Sequence, residues 1–263
     1  MTNMYNWVNY TSPTIKFVMN YIREYDLSKA NISALLYTRR ISMDEYNKYL
    51  IMDKQEREKQ IGLMIRSDDT VYESIQEGII KAKELLSKQN SLEDSDILSI
   101  KNDAMFIIGK ELKHTSFPPF TFKLKNVYQV YLKLQELEVY YADDQDGTQV
   151  KIDIKGMPDK TLELHKDGML DLICETCYRM QRENPRETLT WISSVYRSFI
   201  NRRMPKEYYR NFDSFSYYEI PTFTMMASLK DISNDMIPYI NINRNLSILR
   251  DLVGIVTDFM YRR

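Results

Sequence analysis

Apolar and polar positions alternate with different periods along this chain of 263 residues. Residues 14–25 carry a mixed apolar run that continues into YDLSKANISALLYTRR, and this stretch predicts a strand followed by a turn and a short helix. Residues 42–66 are highly charged with apolar residues at helical spacing, and Ser42 followed by Glu45 matches a capping box. A further helical pattern covers 71–88. The first third of the chain is therefore predicted to be mostly helical after one strand.

The middle of the chain has the patterns of strands. Residues 97–108 predict a buried strand pair around a polar centre, and 120–134 contain alternating and aromatic stretches. Two alternating runs, 137–142 and 150–156, flank an Asp/Gly-rich connection, which is typical of a hairpin. After residue 165 the apolar positions return to helical spacing. The order of strand, helices, sheet and helices predicts an α+β fold with a boundary near 165.

Composition limits the classes of partner. The net charge is −1, from 36 basic and 37 acidic side chains, so any binding of nucleic acid must come from local basic patches. The first residues are polar without an apolar signal-peptide core, and no apolar run approaches membrane-spanning length. We therefore expect a cytoplasmic protein without a membrane partner. Abundant Tyr, Ile, Lys and Asn suggest a low-GC viral gene, for which the compartment is the host cytoplasm.

The two cysteines, Cys174 and Cys177, form a C-x-x-C motif within a helical pattern. A zinc site normally needs a second pair or histidines at ligand spacing, and neither accompanies this motif. The pattern favours two buried thiols on a helix over a metal or redox site.

Two acidic residues stand in apolar surroundings. Asp26 follows the first predicted strand, and Asp103 lies between the apolar runs of 97–108. A carboxylate in such surroundings is costly unless it is hydrogen-bonded, paired or bound to a cation. Two such carboxylates brought together could hold two divalent ions for phosphoryl transfer. Alternatively, Asp26 caps the following helix and Asp103 occupies a hairpin turn. The spacing leaves both interpretations open.

Four segments, in the same order, resemble motifs of family B DNA polymerases. EYDLSKANISALL is similar to the first palm motif, and DILSIKNDAMFII is similar to the second, Y-G-D-T-D-S-V-F. FTFKLKNVYQVYLKLQELEVYYA resembles the L-E-F-E-K-V-Y…K-K-R-Y stretch, and KIDIKGMPDKTLELHKDGM resembles the K-G-I-E…R-R-D segment. The resemblance covers roughly 20–170. It implies a palm-like antiparallel sheet with packed helices over 1–165, a short fingers-like helical insertion at about 42–90, and a helical thumb-like region over 166–263.

The resemblance also implies roles for particular residues. Asp26 and Asp103 would be the catalytic metal ligands, assisted by the backbone carbonyl of Leu27, and the ions would be Mg²⁺ or Mn²⁺. Asn31 corresponds to the sugar-gating tyrosine. A basic cluster that could bind a triphosphate consists of Lys54, Arg57, Lys59 and Arg66, for which a solvated helix face is the alternative.

Further basic positions suggest contacts to nucleic acid. Lys155 and Gly156 match the family's Lys-Gly pair. A second patch interleaves basic residues with Tyr208 and Tyr209, which could track a backbone and stack bases or simply form an exposed helix end. The basic residues of this patch are Arg202, Arg203, Lys206 and Arg210.

The sequence departs from the family at three places. Lys101 stands where the second motif has its first aspartate, and the fingers motif K-x-x-x-N-S-x-Y-G has no clean counterpart. Glu136 and Glu138 replace positive charge in the K-K-R-Y element.

Three hypotheses follow. The first is a DNA polymerase-like nucleotidyltransferase that extends a primer on a DNA or RNA template in replication. The second is a catalytically inactive palm that binds nucleic acid or protein within a replication or transcription complex. The third is an unrelated α+β interaction protein.

Overall fold

The computed structural model describes residues 7–144, 149–157, 162–163, 165–210, 212 and 239–262. Within them lie eight strands and seven α-helices. The strands are β1 (Asn9–Thr11), β2 (Phe17–Leu27), β3 (Ile97–Lys101), β4 (Ala104–Ile108), β5 (Ser116–Phe117), β6 (Phe120–Leu134), β7 (Leu137–Asp143) and β8 (Val150–Lys155). The helices are α1 (Ala30–Tyr37), α2 (Met43–Ile51), α3 (Lys54–Ser67), α4 (Thr70–Gln89), α5 (Met169–Arg182), α6 (Pro185–Ile200) and α7 (Tyr239–Arg262). The predicted α+β class with an antiparallel sheet and packed helices is confirmed.

The chain divides into two compact units. The first unit consists of Met1–Ile15 and Asn20–Val127, and the second consists of Lys16–Met19 and Tyr128–Arg263. The division at 165 into palm-like and thumb-like regions is a functional assignment and stays a prediction.

The first unit is built around the hairpin of β3 and β4, in the strand order β1-β3-β4-β2-β6. The predicted strand pair over 97–108 is therefore confirmed. One face of this sheet, including Tyr25, Ile100 and Met105, packs in a single apolar core with residues of α1 and α4. The opposite face of β2 and β4 carries Asp26 and Ala104, which are cross-strand partners.

Local chemistry explains the helices before β3. Ser42 caps α2, and its side chain and that of Glu45 exchange hydrogen bonds with each other's backbone N–H, so the predicted capping box is confirmed. The charged stretch 42–66 forms two helices, because the Asp53 side chain caps a new helix by accepting hydrogen bonds from Gln55 and Glu56.

Helices α1 and α4 approach each other closely at one glycine. A Cβ added to Gly78 would lie 2.6 Å from both Cα and Cβ of Ala34. The position therefore admits only a residue without a side chain.

In the second unit, β6 pairs with β7 and β7 with β8, all antiparallel. The predicted hairpin over 137–142 and 150–156 is thus confirmed. Apolar residues on one face of these strands, such as Leu132 and Val139, share a core with residues of α5, α6 and α7. None of the helices in the described ranges is long and apolar enough to cross a membrane.

Candidate metal and nucleotide site

Asp26 lies near the end of β2, opposite Ala104 of β4. Its side chain is 33% exposed, so the carboxylate reaches solvent although β2 lies between β4 and β6 in the sheet. The residue at the N-cap of α1 is Lys29, and no side chain caps that helix. The interpretation of Asp26 as a helix cap is therefore wrong.

Asp103 lies in the two-residue turn that joins β3 to β4. Its neighbour Asn102 has a φ of 49°, in the left-handed region that Asn tolerates better than most residues. The carbonyl oxygen of Asp103 accepts a hydrogen bond of 3.0 Å from the backbone N–H of Leu27. Asp103 thus occupies a hairpin turn, and that turn is joined directly to the end of β2, which carries Asp26.

The surroundings of Asp26 favour its protonated form. Burial raises the pKa of Asp26, and the charge of Asp103 raises it further. Glu24 acts in the same direction on the pKa of Asp26, and its side chain is almost completely buried. The fold therefore gathers negative charge from β2 and from the β3–β4 turn in one place.

Glu24 belongs to this cluster although sequence reasoning missed it. It lies two residues before Asp26, and successive side chains of a strand alternate between faces, so both point to the same face. The side-chain amide of Asn126 donates a short hydrogen bond to the Glu24 carboxylate. Its spacing of two residues from Asp26 on a predicted strand is the sequence signal that could have identified it.

Lys125 of β6 is the cation of this cluster. Its Nζ lies 3.4 Å from Oε1 of Glu24 and 3.6 Å from Oδ1 of Asp26. Burial opposes the charge on Lys125, but the two carboxylates outweigh that cost and raise its pKa. With 53% of its side chain exposed, Lys125 can leave the carboxylates without unfolding its surroundings.

Lys83 of α4 is a further residue that sequence reasoning missed. Its side chain is completely buried, and its Nζ donates hydrogen bonds to the carbonyl oxygens of Trp7 and, over 2.6 Å, Asn102. Burial lowers the pKa of Lys83 to about 8, although the charge of Asp103 favours the ammonium form. A buried positive charge therefore lies directly behind the turn that carries Asp103.

Lys101 corresponds to the first aspartate of the second polymerase motif. It contacts β1, which is the other neighbour of β3. Its Nζ donates to Oγ1 of Thr11 over 2.7 Å and to Oδ1 of Asn9 over 3.3 Å, both on β1. The lysine thus has partners on the strand that lies on the opposite side of β3 from β4.

The predicted nucleotide-binding residues fall near α3. Asn31 donates through its side-chain amide to Oε2 of Glu58 over 3.0 Å. Lys54 and Lys59 are exposed on that helix. Arg57 is buried and donates through Nη1 to the carbonyl of Met52 over 3.4 Å, so a solvated face does not describe it.

The oxygen donors fit a hard divalent cation. Carboxylates and backbone carbonyls are the ligands that Mg²⁺ and Mn²⁺ accept, and Mg²⁺ is often held by one or two carboxylates together with water and substrate phosphates. Among the residues that the structure describes, no group of three or more His, Cys, Asp or Glu side chains is arranged to hold a metal. A divalent ion at Asp26 and Asp103 would therefore need water or phosphate oxygens to complete its set of ligands.

The predicted nucleic-acid residues lie in the second unit. Lys155 ends β8, with its Nζ 2.6 Å from Oδ2 of Asp153. Gly156 follows with a φ of 95°, a conformation that explains the glycine. Arg202 and Arg203 follow α6, with Arg203 exposed, while Lys206 and Arg210 are half-buried.

The tyrosines of this basic patch have structural partners. The hydroxyl of buried Tyr209 donates to the Phe199 carbonyl over 3.1 Å, and the two rings are stacked. Tyr208 donates to Oδ2 of Asp171 over 3.3 Å. Tyr209 is therefore not available to stack on a base, which corrects that part of the prediction.

The acidic residues in the K-K-R-Y position also have partners within the second unit. Glu138 is buried, accepts a 3.0 Å hydrogen bond from the Tyr140 hydroxyl, and lies 3.7 Å from Nζ of Lys133. Glu136 is exposed and lies 3.4 Å from Arg244. The charge of Glu138 is therefore compensated by neighbouring side chains.

The two thiols of α5 are held in their protonated form. Cys174 and Cys177 are free cysteines, and burial raises the pKa of Cys174 to about 12 and that of Cys177 well above its ordinary value. Both thiols lie on one helix, as predicted, but only Cys177 is buried, while Cys174 is half-buried.

A family model described as "Bacteriophage PBS1 gene 130 protein" matches residues 1–258. The chain belongs to this family. Membership supports the prediction of a phage origin. No curated protein matches the chain. The assignment of an activity to this gene 130 family member therefore depends on the geometry of its own residues.

Proposed function

We propose that this gene 130 family member is a DNA polymerase-like nucleotidyltransferase that extends a primer with Mg²⁺ or Mn²⁺ held by Asp26 and Asp103. The observation that carries the proposal is the joining of the two segments that resemble the palm motifs. The N–H of Leu27 bonds to the Asp103 carbonyl, and the charge of Asp103 raises the pKa of Asp26. The antiparallel pairing of β2 with β4 supports the proposal because it brings the two segments together where Asp26 and Asp103 lie.

The residues of the candidate site have different parts in the proposed reaction. Asp26 and Asp103 hold the ions and, with them, the phosphates of a nucleotide. When bound, the divalent ions neutralise charge that develops on the transferred phosphoryl group. Asn31 of α1, which is hydrogen-bonded to Glu58 of α3, and the exposed Lys54 and Lys59 of α3 would bind the triphosphate, which lysine charges attract.

Lys125 fits a step that precedes metal binding. Its ammonium interacts with the carboxylates of Glu24 and Asp26 and thereby offsets their mutual repulsion. A divalent cation would compete with this monovalent one, and the exposed side chain of Lys125 is free to turn towards the incoming phosphates.

A second candidate function is an inactive palm within a replication or transcription complex. The same Lys125 favours it, because a protein cation that remains at Asp26 replaces a metal permanently. The structural partners of Tyr209 and Lys155 also reduce what is left to hold a duplex. In this case nucleic acid or a protein would bind without any incorporation of nucleotide.

Primer extension separates the two. Purified protein is incubated with a primed template, Mg²⁺ or Mn²⁺ and nucleotides, beside an Asp26→Ala, Asp103→Ala double variant. An Asp44→Ala variant, which removes an exposed carboxylate of α2, is the matched control. We expect extension by the wild type and the control but not by the double variant.

Two outcomes would count against catalysis. Extension that persists in the double variant would assign the activity to other residues or to a contaminant. Absence of extension in the wild type, combined with binding of the labelled primed template, would favour the inactive palm.

A further inference from the structure

We infer that Lys83 is a positioning residue whose buried ammonium holds the Asn102–Asp103 turn in place and so sets where the Asp103 carboxylate lies. The inference rests on the proposed function only for its consequence, which is tighter binding of a divalent cation. The positioning itself is a statement about the first unit and can be tested without any activity.

The position of Lys83 in α4 explains its burial. It lies four residues after Ile79 and three before Leu86, and both of these are core residues, so Lys83 points to the same side of the helix as they do. A lysine that only supported the fold could extend its ammonium into solvent along such a surface. Lys83 does not: its side chain is completely buried.

The partners of the ammonium are backbone carbonyls. Nζ donates to the carbonyl of Asn102 over 2.6 Å and also to that of Trp7, in the segment that leads into β1. The N–H of Asn102 in turn donates to the carbonyl of Val8 over 3.1 Å. One side chain therefore joins α4, the turn between β3 and β4, and the residues before β1.

The energetics favour a specific role over filling space. Burying an ammonium is costly because its charge is removed from water. An apolar side chain of similar length at this place would not incur that cost. The ammonium gains charge-assisted hydrogen bonds and the attraction of Asp103. A group that orients a metal ligand from behind is the usual outer partner of a metal site.

The test compares Lys83→Met with Lys81→Met. Methionine keeps an unbranched side chain and a similar helix propensity but cannot donate a hydrogen bond. Lys81 lies on the same helix, is partly exposed and pairs with Glu84 over 3.1 Å, so its substitution controls for loss of a lysine from α4. Amide hydrogen exchange and Mn²⁺ binding, followed by electron paramagnetic resonance, are measured on all three proteins.

We expect Lys83→Met to accelerate exchange at the amides of Leu27 and Asn102 while the core of the second unit stays protected. Loss of an outer partner weakens metal binding by about 10- to 100-fold in known sites, and we expect a similar loss of Mn²⁺ affinity. The Lys81→Met protein should resemble the wild type in both measurements. Unchanged exchange at Leu27 and Asn102, or equal acceleration throughout the chain, would overturn the inference.

The role of Lys83 can still be tested if the wild type binds no Mn²⁺ or if the variant does not fold. If the wild type binds no Mn²⁺, the proposed function fails, but hydrogen exchange still decides the role of Lys83. If Lys83→Met does not fold, acetylation of native wild-type lysines is followed by mass spectrometry. The inference requires Lys83 to react much more slowly than Lys81, and equal rates would refute it.

Discussion

The backbone N–H of Leu27 donates to the carbonyl oxygen of Asp103 across 3.0 Å, and this bond joins the two segments on which the proposed chemistry depends. Its acceptor belongs to one proposed metal ligand, and its donor follows the other, Asp26, directly in the chain. Because the bond involves the backbone alone, the juxtaposition does not depend on the ionisation of either carboxylate. The ionisation of Asp26, in contrast, should affect how the protein responds to pH.

We expect Asp26 to make the folded state less stable as the pH rises. Its pKa in the folded protein is raised above the ordinary 3.8 by burial and by Asp103. Between these two values the folded state holds the proton more tightly than the unfolded chain, so the free energy of unfolding falls with increasing pH. This contribution is complete below the ordinary value and is lost once the pH passes the folded value.

The Asp26→Asn variant lacks this titration. Its free energy of unfolding in urea, relative to wild type, should therefore increase from pH values below 3.8 towards neutrality. Asp44→Asn, at an exposed position on α2, controls for the loss of a surface carboxylate. A difference between Asp26→Asn and wild type that is independent of pH would contradict the raised pKa.

Removal of the Lys125 ammonium should favour a metal ion. In Lys125→Met the carboxylates of Glu24 and Asp26 lose the cation that lies 3.4 and 3.6 Å away, so a divalent ion no longer has to displace it. A partly exposed ion pair contributes at most about 1 kcal/mol, so we expect Mn²⁺ to bind up to about fivefold more tightly. Lys123→Met, two positions earlier on β6 and exposed, should bind Mn²⁺ as the wild type does. Weaker binding by Lys125→Met would instead show that Lys125 supports the site.

Features set by neighbouring residues in the chain could be predicted from the sequence. The capping box of Ser42 and Glu45 and the β3–β4 hairpin depend on interactions over a few positions, and both are present. The split of 42–66 into two helices was missed, although Asp53 is a residue that favours N-caps. The charged residues on both sides of Asp53 continue the helical pattern, so Asp53 does not stand out as the start of a second helix.

The missed site residues depend on distant contacts or on a misleading residue type. Lys125 approaches Glu24 only because β6 lies beside β2, and about a hundred positions of sequence separate these residues. Lys83 had a local signal, since the apolar positions Ile79 and Leu86 place it on the buried side of α4. Lysine is so seldom fully buried that apolar neighbours at helical spacing do not by themselves predict its burial.

Substitution by alanine should have opposite effects on stability at two helical glycines, Gly78 and Gly62. Alanine at Gly78 would place its Cβ 2.6 Å from backbone and side-chain atoms of Ala34, and such overpacking costs about 1–3 kcal/mol. At Gly62 of α3 no atom lies within 4 Å of an added Cβ. Gly62→Ala should therefore raise the free energy of unfolding by about 0.5–1 kcal/mol through helix propensity alone. Urea unfolding of both variants measures this difference, and a stabilised Gly78→Ala protein would refute the close approach.

The basic patch after α6 can be tested by the salt dependence of binding. Arg203 is exposed and Lys206 half-buried, and neither needs Tyr209, which is committed to Phe199, in order to contact phosphates. Each phosphate contact contributes about 0.9 to the slope of log affinity against log salt concentration. Arg203→Ala and Lys206→Ala should each reduce the slope for a fluorescent primed template by about that amount.

Lys48→Ala, at an exposed position on α2, should leave the slope unchanged. Because counterion release reports only phosphates that are contacted, an unaltered slope in both variants would remove this patch from the nucleic-acid interface.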